Sequence, residues 1–432
     1  MVGTGCGAYS APSIDCGGML PPHPTSKLAM APRVKRFVLV VFVFVLAIFL
    51  GARFSDSLQG TDFPDFYCAA RMLAEGHGHQ LYDADVQRQY QARYTGRVGT
   101  LYIHPPFEAV LYLAVAWLPL ERAYLVWSLL SLAFLAAGLR LLTKDALQSW
   151  DWSVLLAASL TFVPVLLCLL QGQDSLLLLL LIALGFRDLR RGKPFAAGCW
   201  LGLGLFKFQI VLPLVLVLLL TQSRSARSEV AKGFSLVALT LAGLSATISG
   251  WSVFTAYPEF LLHLQAQPFA GIIPQAMANF RGLTYFFFGS GQTSWAVAAV
   301  AILCTAALIR TLTGWNHAHA ASHPSSADAS REEFDLAFAN TVLFALLVSY
   351  HLNPHDLTLL LLPIAVLLHR MLARTPVSPV GKWIIAGLLA ILFLPPLHLW
   401  TLRTGDYGLV GLPVLGMFLT SASLLRHRHV RE

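Results

Sequence analysis

Long apolar runs dominate the chain. FVLVVFVFVLAIFL, LLLLLLIALGF and LPLVLVLLL are separated by short polar breaks, the pattern of repeated membrane-spanning helices rather than of one buried core. Apolar segments fall at 37–54, 122–142, 152–170, 174–187, 194–206, 210–221, 233–250, 293–313, 334–350, 356–373, 382–400 and 408–425. They predict an all-α polytopic membrane protein of about twelve transmembrane helices. Two stretches allow alternatives. Residues 105–118 (PPFEAVLYLAVAWL) are expected as a re-entrant or partly spanning piece, and 194–221 is either one tilted helix with Lys207 at its centre or two short ones. A lysine at the bilayer centre costs on the order of 2.5–3.5 kcal/mol. Two short helices meeting at Lys207 would place it at a surface or in a cavity, and this arrangement is expected.

Composition agrees with the pattern. The chain is 56% hydrophobic and 12% charged, against roughly 25% charged in a soluble domain. A single membrane domain over 37–425 is the simplest organisation. The net charge of +8 has no long basic tract or basic-aromatic platform beside it, so nucleic acid is not an expected partner. Most Lys and Arg residues sit instead at the ends of apolar runs, where they orient helices. Cys6, Cys16, Cys68, Cys168, Cys199 and Cys304 lack metal-ligand spacing, and the last three fall inside apolar runs; neither a disulfide framework nor redox chemistry follows. No signal for oligomeric state is visible.

Residues 1–36 are rich in Gly, Pro and Ser and are expected to be a disordered extension. The run 37–54 is too long, and too poorly followed by a cleavage site, for a signal peptide. Met30 opens MAPRVKRF, a natural start for a retained first helix, so residues 1–29 are expected to be an upstream extension. With a cytoplasmic N-terminus, the basic clusters at 187–193, 224–232, 370–374 and 426–431 all face inward, as the positive-inside rule requires. Residues 316–333 (NHAHAASHPSSADASREE) are then expected as a flexible cytoplasmic loop, and 426–432 as a basic cytoplasmic tail.

The outer side receives an extended first loop (55–104), QGQD (171–174), KFQ (207–209), a second long loop (251–292) and SYHLNPHD (349–356). These segments carry the Asp, His, Asn, Gln and Lys residues that are expensive in a membrane and are functional candidates by default. Asp62 and Asp65 share a helical face if that loop is helical; the alternative is that one caps a short helix. The glutamines of QGQD, among them Gln173, can line a site or merely satisfy backbone groups freed at the break. In SYHLNPHD, His351, Asn353, His355 and Asp356 lie so close between leucine-rich helices that they should line a wet cavity, because burying them without partners costs several kcal/mol. A metal on His351, His355 and Asp356 is the less favoured reading, since Pro354 interrupts the helical His spacing; no metal is expected. Arg281, beside Asn279 in NFRGLTYFFFG, either anchors its loop at headgroups or meets a phosphate.

Taken in order, DFPDFYCAARMLAEG with LYD after it, HPPFEAVLYLAVAWLPLERAYLVW, GQDSLLLLLLIAL, AAGCWLGLGLFKFQIVLPLVL, NFRGL and YHLNPHDLTLLLLP resemble the family 87 glycosyltransferases. Characterised members of that family are polyprenol-phosphate-mannose-dependent mannosyltransferases. The resemblance implies the GT-C type of multi-helix membrane fold and a site facing away from the cytoplasm, in bacteria the periplasmic side of the inner membrane. It also implies a polyprenyl-phosphate-sugar donor and a lipid or glycan acceptor. An Asp early in the first outer loop is the family's base, which puts Asp62 in that role with Asp65 as the alternative. Lys207, Arg281, His351 and His355 are then the expected phosphate contacts, and Gln173, Gln209, Asn279, Tyr350, Asn353 and Asp356 the expected substrate contacts. A lipid-anchored donor carries its own leaving group, and no Gly-rich phosphate loop or DxD pair is present; no cofactor is expected. The rival reading is a lipid-linked sugar transporter or flippase, whose inverted repeat is not found. A third is an inactive scaffold subunit.

Overall fold

The computed structural model describes residues 61–145, 152–263, 273–289, 294–320, 327–372 and 377–426. The expectations for 1–36, the apolar run 37–54 and the tail 427–432 lie outside them. Among the described residues every regular element is helical. In chain order they are α1 (Phe63–Ala74), α2 (Ala84–Thr95), α3 (Pro106–Ala116), α4 (Leu120–Asp145), α5 (Trp152–Leu160), α6 (Val163–Gln171), α7 (Ser175–Arg190), α8 (Pro194–Leu203), α9 (Phe208–Thr221) and α10 (Arg224–Ser249). After them come α11 (Val253–His263), α12 (Phe280–Phe288), α13 (Ser294–Ala320), α14 (Ala327–Val348), α15 (Leu361–Leu372), α16 (Pro379–Leu392), α17 (Pro395–Thr404) and α18 (Gly411–Arg426). Short 3-10 turns at Gly204–Lys207 and Pro354–Leu360 precede α9 and α15.

Punctuation in the sequence sets many of these boundaries. Proline stands in the first turn of α3, α6, α8, α16 and α17, where its missing N–H costs nothing. Ser223 and Asn279 cap α10 and α12 through their side chains. Arg187 and Arg190 close the last turn of α7, complementing its dipole.

Among the described residues six helices are long and apolar enough to cross a membrane, or up to eight if each of two bent pairs is one span. One of the expected twelve, 37–54, lies outside the described residues, and several of the others are interrupted or short for local reasons. The segment 152–170 divides into α5 and α6 with a 71° bend, and 382–400 into α16 and α17 with a 54° bend. Phe162 and Phe393, one at each bend, stack with ring centroids 4.8 Å apart. The helix over 334–350 begins in charged residues, and α3 has only 11 residues, in keeping with a partly spanning piece.

Residues 194–221 would pass as one span of 28 residues by length, yet their contacts show a reversal at Lys207. Helices α8 and α10 run side by side in the same direction. A Cβ on Gly198 would lie 2.2 Å from Val230 O and one on Gly233 2.1 Å from Phe195 O, so glycine alone permits this approach. Helix α9 must therefore carry the chain back, and its last residue does return: Thr221 O accepts from His319 Nε2 at 3.1 Å. The expected meeting of two short helices at Lys207 is present. The lysine, however, lies in no open cavity; its side chain is 2% exposed.

The bundle has two chemically different ends. At one, Arg190 pairs with Asp335 (2.7 Å), and Arg370 with Glu332 (2.5 Å) and Glu333 (2.7 Å). These pairs explain why 316–333 is less of a linker than its Ala/Ser/Pro composition predicts. Helix α13 continues to Ala320, α14 starts at Ala327, and the acidic first turns of α14 are held by arginines of α7 and α15. At the other end, α1–α3 form a small layer over the bundle. Phe66 stacks on Tyr112 at 4.6 Å and Tyr112 packs on Trp127 at 4.1 Å, pairs worth about 0.5–1.5 kcal/mol each beyond their burial.

Candidate active site

Asp62 stands at the N-terminus of α1, in the place of a capping residue, but its side chain makes no capping hydrogen bond. The QGQD break takes it from both sides instead. Gln171 Oε1 accepts the Asp62 backbone N–H at 2.9 Å, and Gln173 Nε2 donates to Asp62 Oδ2 at 2.6 Å. Gly172 makes the embrace possible. It ends α6 in the left-handed region at φ 65°, and a Cβ there would lie 2.7 Å from the Phe63 side chain. Asp62 Oδ1 has no hydrogen bond among the described residues and faces a cleft lined by Asp62, Thr100, His104, Gln173, His351 and Asn353, together with Asp65 and apolar neighbours.

Asp65 sits one turn on, and its surroundings are different. Its Oδ1 accepts from Gln91 Nε2 at 3.0 Å and its Oδ2 from the Thr100 hydroxyl, so both oxygens are engaged in holding α2 and the following loop. Burial, opposed by the Thr100 hydroxyl, pushes its carboxyl well above the usual range. For Asp62 burial again acts first and upward, but Gln173, His104 and Lys207 pull down against it. Of the two, Asp62 has the free oxygen.

Below the cleft lies a buried charge cluster. Lys207 Nζ is 3.0 Å from Asp356 Oδ1, 3.2 Å from Asp174 Oδ1 and 3.3 Å from Gln173 Oε1. The ammonium sits in ion-pair contact with two carboxylates and donates a hydrogen bond to Gln173 Oε1. Asp356 is tied further by the Ser175 hydroxyl (2.8 Å) and the Asn353 backbone N–H (2.9 Å). Lys207, expected at the phosphate, and Asp356, expected at the substrate, are both buried and paired with each other. His355 is buried beside Asp356 at 3.7 Å and does not line the cleft, whereas His351 does, with a buried Nδ1 that has no hydrogen-bond partner among the described residues. Burial lowers the His351 imidazole to about 4.

The remaining predicted residues fall elsewhere. Asn279 is buried and structural, accepting from Gly282 N (2.8 Å) and donating to Ser349 O (2.7 Å). Gln209 is half-buried and outside the cleft. Arg281 stacks over the Tyr350 ring at 4.2 Å and donates to Tyr350 O at 3.2 Å. Both residues line a second, mostly apolar groove of about 370 Å³ between α12, α13 and the end of α14. Cleft and groove flank the same short segment, since Tyr350 lines one and His351 the other. No group of three or more His, Cys, Asp or Glu among the described residues is arranged to hold a metal ion.

Sequence reading missed His104 and Glu108. Glu108 Oε1 lies 3.0 Å from His104 Nδ1, and His104 lines the cleft. Burial, reinforced by Lys207, lowers His104 to about 4, so the imidazole is neutral near pH 7. The signal was present in HPPFE, where the two residues are four apart at the start of a helix.

The cleft thus presents an ionisable carboxylate with one oxygen held and one free, neutral imidazoles beside it, and an apolar groove next door. No curated protein and no solved structure matches the chain. The sequence model of glycosyltransferase family 87 matches residues 102–349, more than half of its length. The matched span holds His104, Glu108, the QGQD break, Lys207 and Arg281, and it ends just before Tyr350. The chain belongs to glycosyltransferase family 87 and is a membrane glycosyltransferase.

Proposed function

We propose that this enzyme transfers a hexose, mannose by its family resemblance, from a polyprenyl-phosphate donor to a hydroxyl of a lipid or glycan acceptor, with Asp62 as general base. The observation that carries the reading is the free Asp62 Oδ1 at the cleft, set against the fully engaged Asp65. The acceptor oxygen attacks the anomeric carbon, its proton passes to Asp62, and the bond from that carbon to the phosphate oxygen breaks, leaving polyprenyl phosphate. Charge grows on the phosphate as it departs, and cations or N–H donors aimed at it stabilise that state. Arg281 is the accessible cation of the groove. The prenyl chain lies in the groove, the phosphate near Arg281 and Tyr350, and the sugar reaches past His351 to the cleft.

The cleft end faces the periplasm in this reading and the arginine-rich end the cytoplasm. Single cysteines replacing Ser228 and Tyr350, both exposed, test it: an impermeant reagent added outside should label the second and spare the first. The activity is tested by incubating the purified protein in vesicles with labelled polyprenyl-phosphate-mannose and membrane lipid extract. A new labelled product that needs Asp62 supports the proposal. Movement of the donor across the bilayer without transfer would instead mark a transporter.

A further inference from the structure

Gln173 touches Asp62 with one end of its amide and Lys207 with the other, at 2.6 and 3.3 Å. An ammonium only donates, and a carboxylate only accepts. The amide therefore has one satisfactory orientation, with Oε1 toward Lys207 and the NH2 group toward Asp62; the flipped amide would set donor against donor and acceptor against acceptor. Lys207 is itself immobile, held by Asp174 and Asp356. Asp174 follows Gln173 directly in the chain, so the lysine and the amide it orients are fastened to the same break.

We propose that Lys207 is a positioning residue that acts through Gln173: by dictating which end of the amide faces the cleft, it presents Asp62 with Oδ2 held and Oδ1 free for the acceptor. The inference rests on the reading of Asp62 as the base, and it gives Lys207 no contact with the donor phosphate. The charged and titratable groups around Asp62 are few. His104, beside Glu108, faces it from the segment before α3, Lys207 and Asp356 lie beneath it, His351 lines the opposite wall, and Asp65 is engaged by α2. Lys207 is the cation among them at neutral pH.

The test is the pH profile of kcat, with the donor KM beside it, for Gln173→Met, Lys207→Met, Lys207→Arg and the double Met variant. Loss of the N–H donor to the carboxylate should move the acid limb to higher pH by about one unit, with the rate recovering at alkaline pH and the donor KM unchanged. The double variant should shift no further than Gln173→Met alone, because both changes act through one amide. Lys207→Arg should lie near the wild type. Lys207→Met strips the cation from two buried carboxylates and can fail to fold; Gln173→Met then decides alone. An unmoved acid limb in Gln173→Met overturns the inference, as does a raised donor KM with an unmoved limb in Lys207→Met. Transfer retained in Asp62→Asn would mean that the base assignment itself has failed.

Discussion

The two ends of the helical bundle both bury charge, and they use it differently. At the arginine-rich end each cation faces carboxylates in direct pairs: Arg190 with Asp335, Arg370 with Glu332 and Glu333. At the cleft end one lysine serves Asp174 and Asp356, while Asp62 is held by amides and keeps an oxygen open. Pairing of the first kind clamps α7, α14 and α15 together and leaves little for chemistry. The second arrangement leaves a carboxylate that a substrate can complete, which is costly in a membrane protein unless it has a use.

The largest expected effect separating the ends is on transfer. Asp62→Asn should insert and fold normally and lose transfer by roughly 10²- to 10⁴-fold, measured with labelled donor. Asp65→Asn should lose far less and show lower thermal stability, because its oxygens hold Gln91 and Thr100. Should the two results be exchanged, the base moves one helical turn. Only ionised Asp62 can accept the proton, so transfer must fall as pH drops through its raised pKa. The acid limb belongs above the 3.8 of an ordinary aspartate, and a limb at or below that value would contradict the buried setting.

A stability effect should dominate at the opposite end. Arg370→Met leaves Glu332 and Glu333 without their partner and should cost about 3 kcal/mol in unfolding experiments in detergent, with the pH profile of the remaining activity unchanged. A moved profile would show that the two ends are coupled. Within the cleft, His104→Phe should lower transfer about tenfold, the equivalent of one hydrogen bond to a charged group; full activity would remove the His104–Glu108 pair from the chemistry. The smallest effect is expected at Arg281→Ala, a several-fold rise in donor KM with little change in kcat, since a half-exposed charge is weakened by solvent. A change confined to the acceptor KM would reassign the groove.

Much of the fold was legible in the chain. Apolar runs broken at QGQD, KFQ and SYHLNPHD placed helix ends where they are found, because lipid requires helices to satisfy their own backbone. The charge of Lys207 was enough to expect a break there. What hydropathy does not register is a bend inside an apolar run, as at Phe162 and Phe393, since both halves remain apolar; the prolines that open α6 and α17 mark the two breaks, and the two stacked rings pack the bends together. Nor did composition reveal that residues 316–320 and 327–333 are helical, because the arginines that stabilise the acidic turns of α14 come from helices distant in sequence.

For the site the division is sharper. The residue types and the end of the bundle on which they gather were determined by the sequence alone, as polar groups can collect only at breaks between membrane helices. Which of those residues meet was decided by tertiary structure. Asp62 and Gln173 are 111 positions apart, and Ser175 and Asp356 are 181 apart, distances at which local periodicity carries no information. The proposal of Asp62 over Asp65 as the base rests on which carboxylate has its oxygens taken by neighbours. That Lys207 is interior, paired with Asp174 and Asp356 and bonded to Gln173, is visible only in the folded chain. A side chain's chemistry follows from its type, but its availability depends on partners that only folding supplies.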